Sequence, residues 1–139
     1  MCAPSWSRRD QAGHDAAGGG SRYRRENMIA FGPVPSRRLG RSLGVNNIPA
    51  KHCSYSCIYC QIGPTSASLV ARREFFPADE VVQAVRRKVA ECRAAGHGID
   101  FITFVPDGEP TLDASLGEEI GALKGLGVRV AVITNGSLL

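Results

Sequence analysis

From residue 77 to residue 134 the hydrophobic pattern of the sequence switches between helical and strand periods, and that alternation leaves few folds open. Pro77 suits the first turn of a helix, and Asp79 and Glu80 complement the positive end of its dipole. Val81, Val85, Val89 and Cys92 follow at helical spacing, Arg86, Arg87, Lys88 and Arg93 mostly take the other side, and Gly96 and Gly98 end the pattern. The spacing predicts a helix over residues 77–95. Residues 99–105 are β-branched and aromatic and stop at Pro106, which reads as a strand. Ser115 and Glu118 have the spacing of a capping box, Leu116, Ile120 and Leu123 continue it as a helix, and Gly125 and Gly127 stop it. Residues 128–134 then read as a near-continuous buried strand. With a weaker strand at residues 43–48, the order predicts an α/β fold of three β/α units on a parallel sheet.

A chain of 139 residues supports one domain, and at 43% hydrophobic it can form a packed core. A three-stranded parallel sheet leaves an uncovered edge, however, and a closed (β/α)8 barrel runs to about 250 residues. Leu138 and Leu139 directly after a buried-type strand do not resemble a domain end. The expectation is the N-terminal part of a larger barrel-like domain, present as a fragment or a truncated gene product. Residues 1–27 contain no Leu, Ile, Val or Phe and are rich in Gly, Ala, Ser and Arg, so they are expected to be a disordered extension. Composition changes at Met28, the expected functional start, which leaves residues 28–139 as the folded part. The prolines of residues 32–38 predict an extended loop. No apolar run approaches the roughly 20 residues of a membrane-spanning helix, and the N-terminus lacks a secretory apolar core. No membrane attachment and a cytoplasmic location are therefore expected. The net charge of +4 divides evenly between residues 1–27 and the rest, with no long basic block of the kind that binds nucleic acid.

Of the five cysteines, Cys53, Cys57 and Cys60 fall within eight residues, which is not the layout of a secreted disulfide framework and points to metal or catalysis. Iron–sulfur clusters are held by cysteine thiolates, normally four for a [4Fe–4S] centre. Three thiolates on one short loop would leave one iron without a protein ligand, the open position a metal site needs if it is to bind a substrate. The rival reading is zinc held by the three cysteines and His52, giving a non-catalytic binding module, although His52 adjoins Cys53 and is awkwardly placed for joint ligation. Cys92, on the apolar face of the predicted helix, reads as a small core residue. Lys51, His52, Arg37 and Arg38 flank the cysteine loop in sequence and are candidate cations beside it.

The C-x3-C-x2-C spacing, with Tyr59 before the last cysteine, resembles the radical S-adenosylmethionine (SAM) superfamily. Residues 32–40 (GPVPSRRLG), Ser42–Asn46 and Gln61 are similar to one branch, the Fe–S oxidoreductases resembling the radical enzymes of tRNA wybutosine synthesis. The likeness covers essentially residues 28–139. It implies a partial (β/α)6 barrel, of which this chain supplies about the first half. It implies a [4Fe–4S] cluster on Cys53, Cys57 and Cys60, with the amino and carboxylate groups of SAM on the fourth iron and Tyr59 near the adenine. The reaction implied is reductive cleavage of SAM to methionine and a 5′-deoxyadenosyl radical. A reductant such as flavodoxin or ferredoxin would supply the electron, and tRNA enters as a substrate by analogy only.

Two further motifs carry the resemblance. Pro106–Leu112 contains Gly108, Glu109 and Pro110 at the end of a predicted strand, where α/β barrels build their sites, and is similar to the Gly-Glu-Pro segment that meets the SAM ammonium. Thr134 and Asn135 in Thr-Asn-Gly-Ser match a segment on the SAM side of the barrel, though Asn-Gly is also simply a good turn.

Overall fold

Leu43, Val45, Ile102 and Phe104 are fully buried, and they lie on the same side of two neighbouring parallel strands because side chains two residues apart share a face. The computed structural model describes residues 29–139, and the expected disordered extension at 1–27 lies outside the described residues. The elements are β1 (Ala30–Ser36), β2 (Gly40–Val45), β3 (His52–Cys53), β4 (Ala67–Ser68), α1 (Ala78–Ala94), β5 (Phe101–Phe104), a 3-10 turn (Pro110–Leu112), α2 (Leu116–Lys124) and β6 (Arg129–Val132). The main sheet has the order β1-β2-β5-β6, with β2, β5 and β6 parallel. Leu43 pairs with Ile102 and Ile102 with Val130, while Val45 pairs with Phe104 and Phe104 with Val132. Val81, Val85 and Val89 of α1 and Leu123 of α2 close over this face in a single core. Among the described residues no helix is long and apolar enough to cross a membrane.

The helix expected over 77–95 is α1, with its valines and Cys92 buried. Its exit is built as the glycines require: Gly96 takes φ 74°, and His97 N–H reaches back to the Cys92 carbonyl at 2.8 Å.

Four expectations are corrected. The proline-rich stretch is mostly strand, as β1 pairs antiparallel with β2, so the sheet is mixed rather than wholly parallel. Pro33 and Pro35 are tolerated because β1 is an edge strand, and the register shifts between Phe31 and Val34. The Phe31 ring lies over Gly44, where a Cβ would stand 2.2 Å from it. The weak strand predicted at 43–48 is β2, shifted toward the N-terminus. The capping box does not form: Ser115 has helical backbone angles (φ −87°, ψ −3°) and its hydroxyl caps nothing, while Asp113 Oδ1 accepts from Ser115 N–H at 3.0 Å. Finally, β6 is not a buried strand. Nothing among the described residues pairs with its outer edge, so Arg129 is exposed and Val130–Val132 are only partly buried.

Candidate functional site

The three motifs singled out in the sequence leave the same end of the parallel sheet. The cysteine loop follows β2, the segment containing Gly108–Pro110 follows β5, and Thr134–Ser137 follows β6. In parallel α/β sheets this C-terminal end is where loops converge on a ligand.

Backbone contacts join the first two motifs. Lys51 N–H donates to the Asp107 carbonyl at 2.5 Å, and Glu109 N–H donates to the His52 carbonyl at 3.0 Å. Gly108 makes this approach possible, since a Cβ there would lie 2.1 Å from the His52 carbonyl oxygen. Lys51 itself sits at φ 62°, the left-handed region that L residues rarely occupy.

Glu109 joins the second motif to the third. Glu109 is 1% exposed. Oε1 accepts from Thr111 N–H at 3.1 Å and from the hydroxyls of Thr111 and Thr134, each at 2.6 Å, while Oε2 accepts from Asn135 N–H at 2.8 Å. Burial alone would raise its pKa, but these four donors outweigh burial and hold it below the usual value, so Glu109 is ionised near neutrality.

Asn135 joins the third motif to the first. Its Nδ2 donates to Ser54 Oγ at 3.0 Å and to Cys53 Sγ at 3.6 Å. Ser54 and Ser137 hydroxyls meet at 2.6 Å. Cys53 lies in β3, paired with Ser68 of β4. Cys57 and Cys60 are linked by a turn, Cys60 N–H to the Cys57 carbonyl at 3.0 Å. Cys53 and Cys57 are half-buried and Cys60 is exposed. Tyr59 is exposed, and a hydrogen bond with the Cys57 sulfur, reinforced by Coulombic repulsion between the two groups, raises its hydroxyl pKa.

Among the described residues, no three His, Cys, Asp or Glu side chains stand close enough together to hold a metal ion. The three thiols are carried on one irregular loop, and the chemistry of the set, all sulfur and no carboxylate, suits iron–sulfur ligation. His52 turns its ring edge-on to Phe75, centroids 5.6 Å apart, and its Nδ1 to the Ala50 carbonyl at 3.1 Å. Arg37 and Arg38 are not beside this loop. They lie in the turn before β2, at the opposite end of a strand whose six residues span roughly 20 Å.

Residues 47–139 match the radical SAM superfamily. The chain belongs to the radical SAM superfamily. A UPF0026 protein of Methanocaldococcus jannaschii is 49% identical over 111 residues, covering 80% of this chain and 34% of that protein. A UPF0026 protein of Helicobacter pylori is 37% identical over 113 residues, covering 79% of this chain and 35% of that protein. A protein of Brachyspira hyodysenteriae named GTPase Obg is 43% identical over 110 residues, 78% of this chain and 16% of its own length. The chain therefore spans about a third of the UPF0026 proteins it matches. No solved structure matches it.

This radical SAM chain also holds a buried acidic group that the sequence reading missed. Glu119 is fully buried, and its carboxyl group meets that of Asp113, with which it hydrogen-bonds when one of the two carries a proton. Burial, reinforced by the charge of Asp113 beside it, pushes its pKa up to about 8. Asp113, also raised by burial, accepts from Asn47 Nδ2 at 3.1 Å. The available signal was positional: Glu119 stands three residues after Leu116 and four before Leu123, on the apolar stripe of α2. Thr111, Ser54 and Ser137, small polar residues within the motifs, were likewise not marked as site residues.

Proposed function

We propose that this chain is the N-terminal portion of a radical SAM Fe–S oxidoreductase of the wybutosine-synthesis-like branch, and that its β2, β5 and β6 are the first parallel strands of a partial (β/α)6 barrel. Cys53, Cys57 and Cys60 would hold a [4Fe–4S] cluster by three of its irons. With SAM bound, the cluster would supply reductive cleavage of the SAM C–S bond, the electron coming from a flavodoxin- or ferredoxin-like reductant.

The chain's own residues bind and orient. Tyr59, exposed at the tip of the cysteine loop, offers an aromatic face to the adenine. Glu109 is buried and already serves four donors, so its carboxylate fixes the loop ends, and since the Glu109 and Pro110 carbonyls already accept from Leu112, Asp113 and Asn47, the Gly108 carbonyl takes the SAM ammonium. Thr134 and Asn135 are held on the same side by that carboxylate. The observation that carries the reading is the meeting of three motifs, distant in sequence, around Glu109 and Cys53.

Electron paramagnetic resonance tests SAM binding without requiring turnover. Adding SAM to the reduced, iron-loaded chain is expected to change the cluster's spectrum, because SAM joins an iron. A spectrum indifferent to SAM refutes the assignment.

A further inference from the structure

Asn135 is held on three sides before any ligand arrives. Its backbone N–H is bonded to Glu109 Oε2 at 2.8 Å. Its side-chain Oδ1 accepts from Ser137 N–H at 2.9 Å, which settles which end of the amide faces which neighbour. The NH2 end is therefore directed at Ser54 Oγ, 3.0 Å away, and at Cys53 Sγ, 3.6 Å away. The Ser54–Ser137 hydroxyl pair at 2.6 Å locks the two segments together beside it.

We propose that Asn135 is a positioning residue for Cys53, which holds the sulfur and tunes the reduction potential of the cluster it ligates through an N–H···S hydrogen bond anchored by Glu109. This deepens the function proposed above and rests on it. A donor to a ligating sulfur stabilises the more negative, reduced form of the cluster and so raises its potential. The buried Glu109 carboxylate supplies the rigidity: without its bond to Asn135 N–H, the amide would be one conformer of a surface turn.

The test is a mediated redox titration of the anaerobically reconstituted chain. Asn135→Ala removes the donor and is expected to disfavour reduction about tenfold, a fall of about 59 mV for a one-electron couple. Asn135→Asp keeps the shape, removes the donor and adds negative charge, so its potential falls further. Circular dichroism and iron content unchanged from wild type separate this from misfolding, because a merely structural role would alter those and leave the potential of the surviving cluster where it was. Equal potentials in the wild type and Asn135→Asp overturn the tuning role alone. A wild-type chain that takes up no iron overturns both the proposed function and the role built on it.

Discussion

Replacing Gly108 with alanine places a methyl carbon 2.1 Å from the carbonyl oxygen of His52 and 3.0 Å from Ile48 Cδ1. The side chain of Ile48 can yield, but the carbonyl cannot, because it accepts from Glu109 N–H at 3.0 Å in the same contact. Relief requires the segment after β5 to part from the cysteine loop. Overpacking of this kind costs about 1–3 kcal/mol. Parting also weakens two backbone bonds, Glu109 N–H to His52 and Lys51 N–H to Asp107, each contributing about 1 kcal/mol. Because steric strain is relieved as those bonds lengthen, the two costs overlap, and a loss of about 2–4 kcal/mol is expected. Urea unfolding reads the global part, and hydrogen exchange at Glu109 and Lys51 reads any local opening. Gly121→Ala is the control: nothing lies within 4 Å of its Cβ position, it sits inside α2, and alanine there should stabilise by up to about 1 kcal/mol. A Gly108→Ala chain within about 0.5 kcal/mol of wild type, with unchanged exchange at both amides, would refute the close-approach argument.

Glu119 predicts a pH dependence of stability. Its folded pKa, about 8, lies above its ordinary value of 4.5, so the native state binds the extra proton between the two. Its contribution is fully present below about 4.5 and is lost as pH rises through about 8, with a slope of at most about 1.4 kcal/mol per pH unit. Glu119→Gln should flatten that slope in urea titrations between pH 5 and 9, and an unaltered profile would count against it. Thr134→Val removes one of the four donors to the buried Glu109 carboxylate while keeping its shape, at an expected cost of about 1–3 kcal/mol. Since Glu109 has its pKa lowered by those donors, the stability they confer is present at neutral pH and lost on acidification through its folded value, and the difference from wild type should shrink there.

The helix α1 was legible because its valines recur at one period and its termini carry their own signals in Pro77, Asp79, Glu80 and Gly96. The candidate site residues stood out as three separate motifs because each is short and local. Their connection was not: Asn135 and Cys53 are 82 residues apart, and only the parallel register of β2, β5 and β6 brings the ends of those strands together. β1 was misread because prolines argue against strand unless the strand is known to be an edge, and edge position is a property of the sheet. The same hairpin carried Arg37 and Arg38 away from the cysteine loop they neighbour in sequence. Ser115 and Glu118 had the right spacing for a capping box, but Asp113 reached the helix end first. Glu119 broke the apolar pattern of α2 without interrupting the helix, because a carboxylic acid can be buried neutral when its pKa is free to rise.

Iron and acid-labile sulfide per chain, measured after anaerobic reconstitution, test most directly whether Cys53, Cys57 and Cys60 form a cluster site. The account predicts about four of each in the wild type and in Cys92→Ala, whose sulfur belongs to the core under α1, and their loss in Cys57→Ala. A wild-type chain that stays colourless and binds a single zinc, or that keeps its iron when Cys57 is removed, would contradict it.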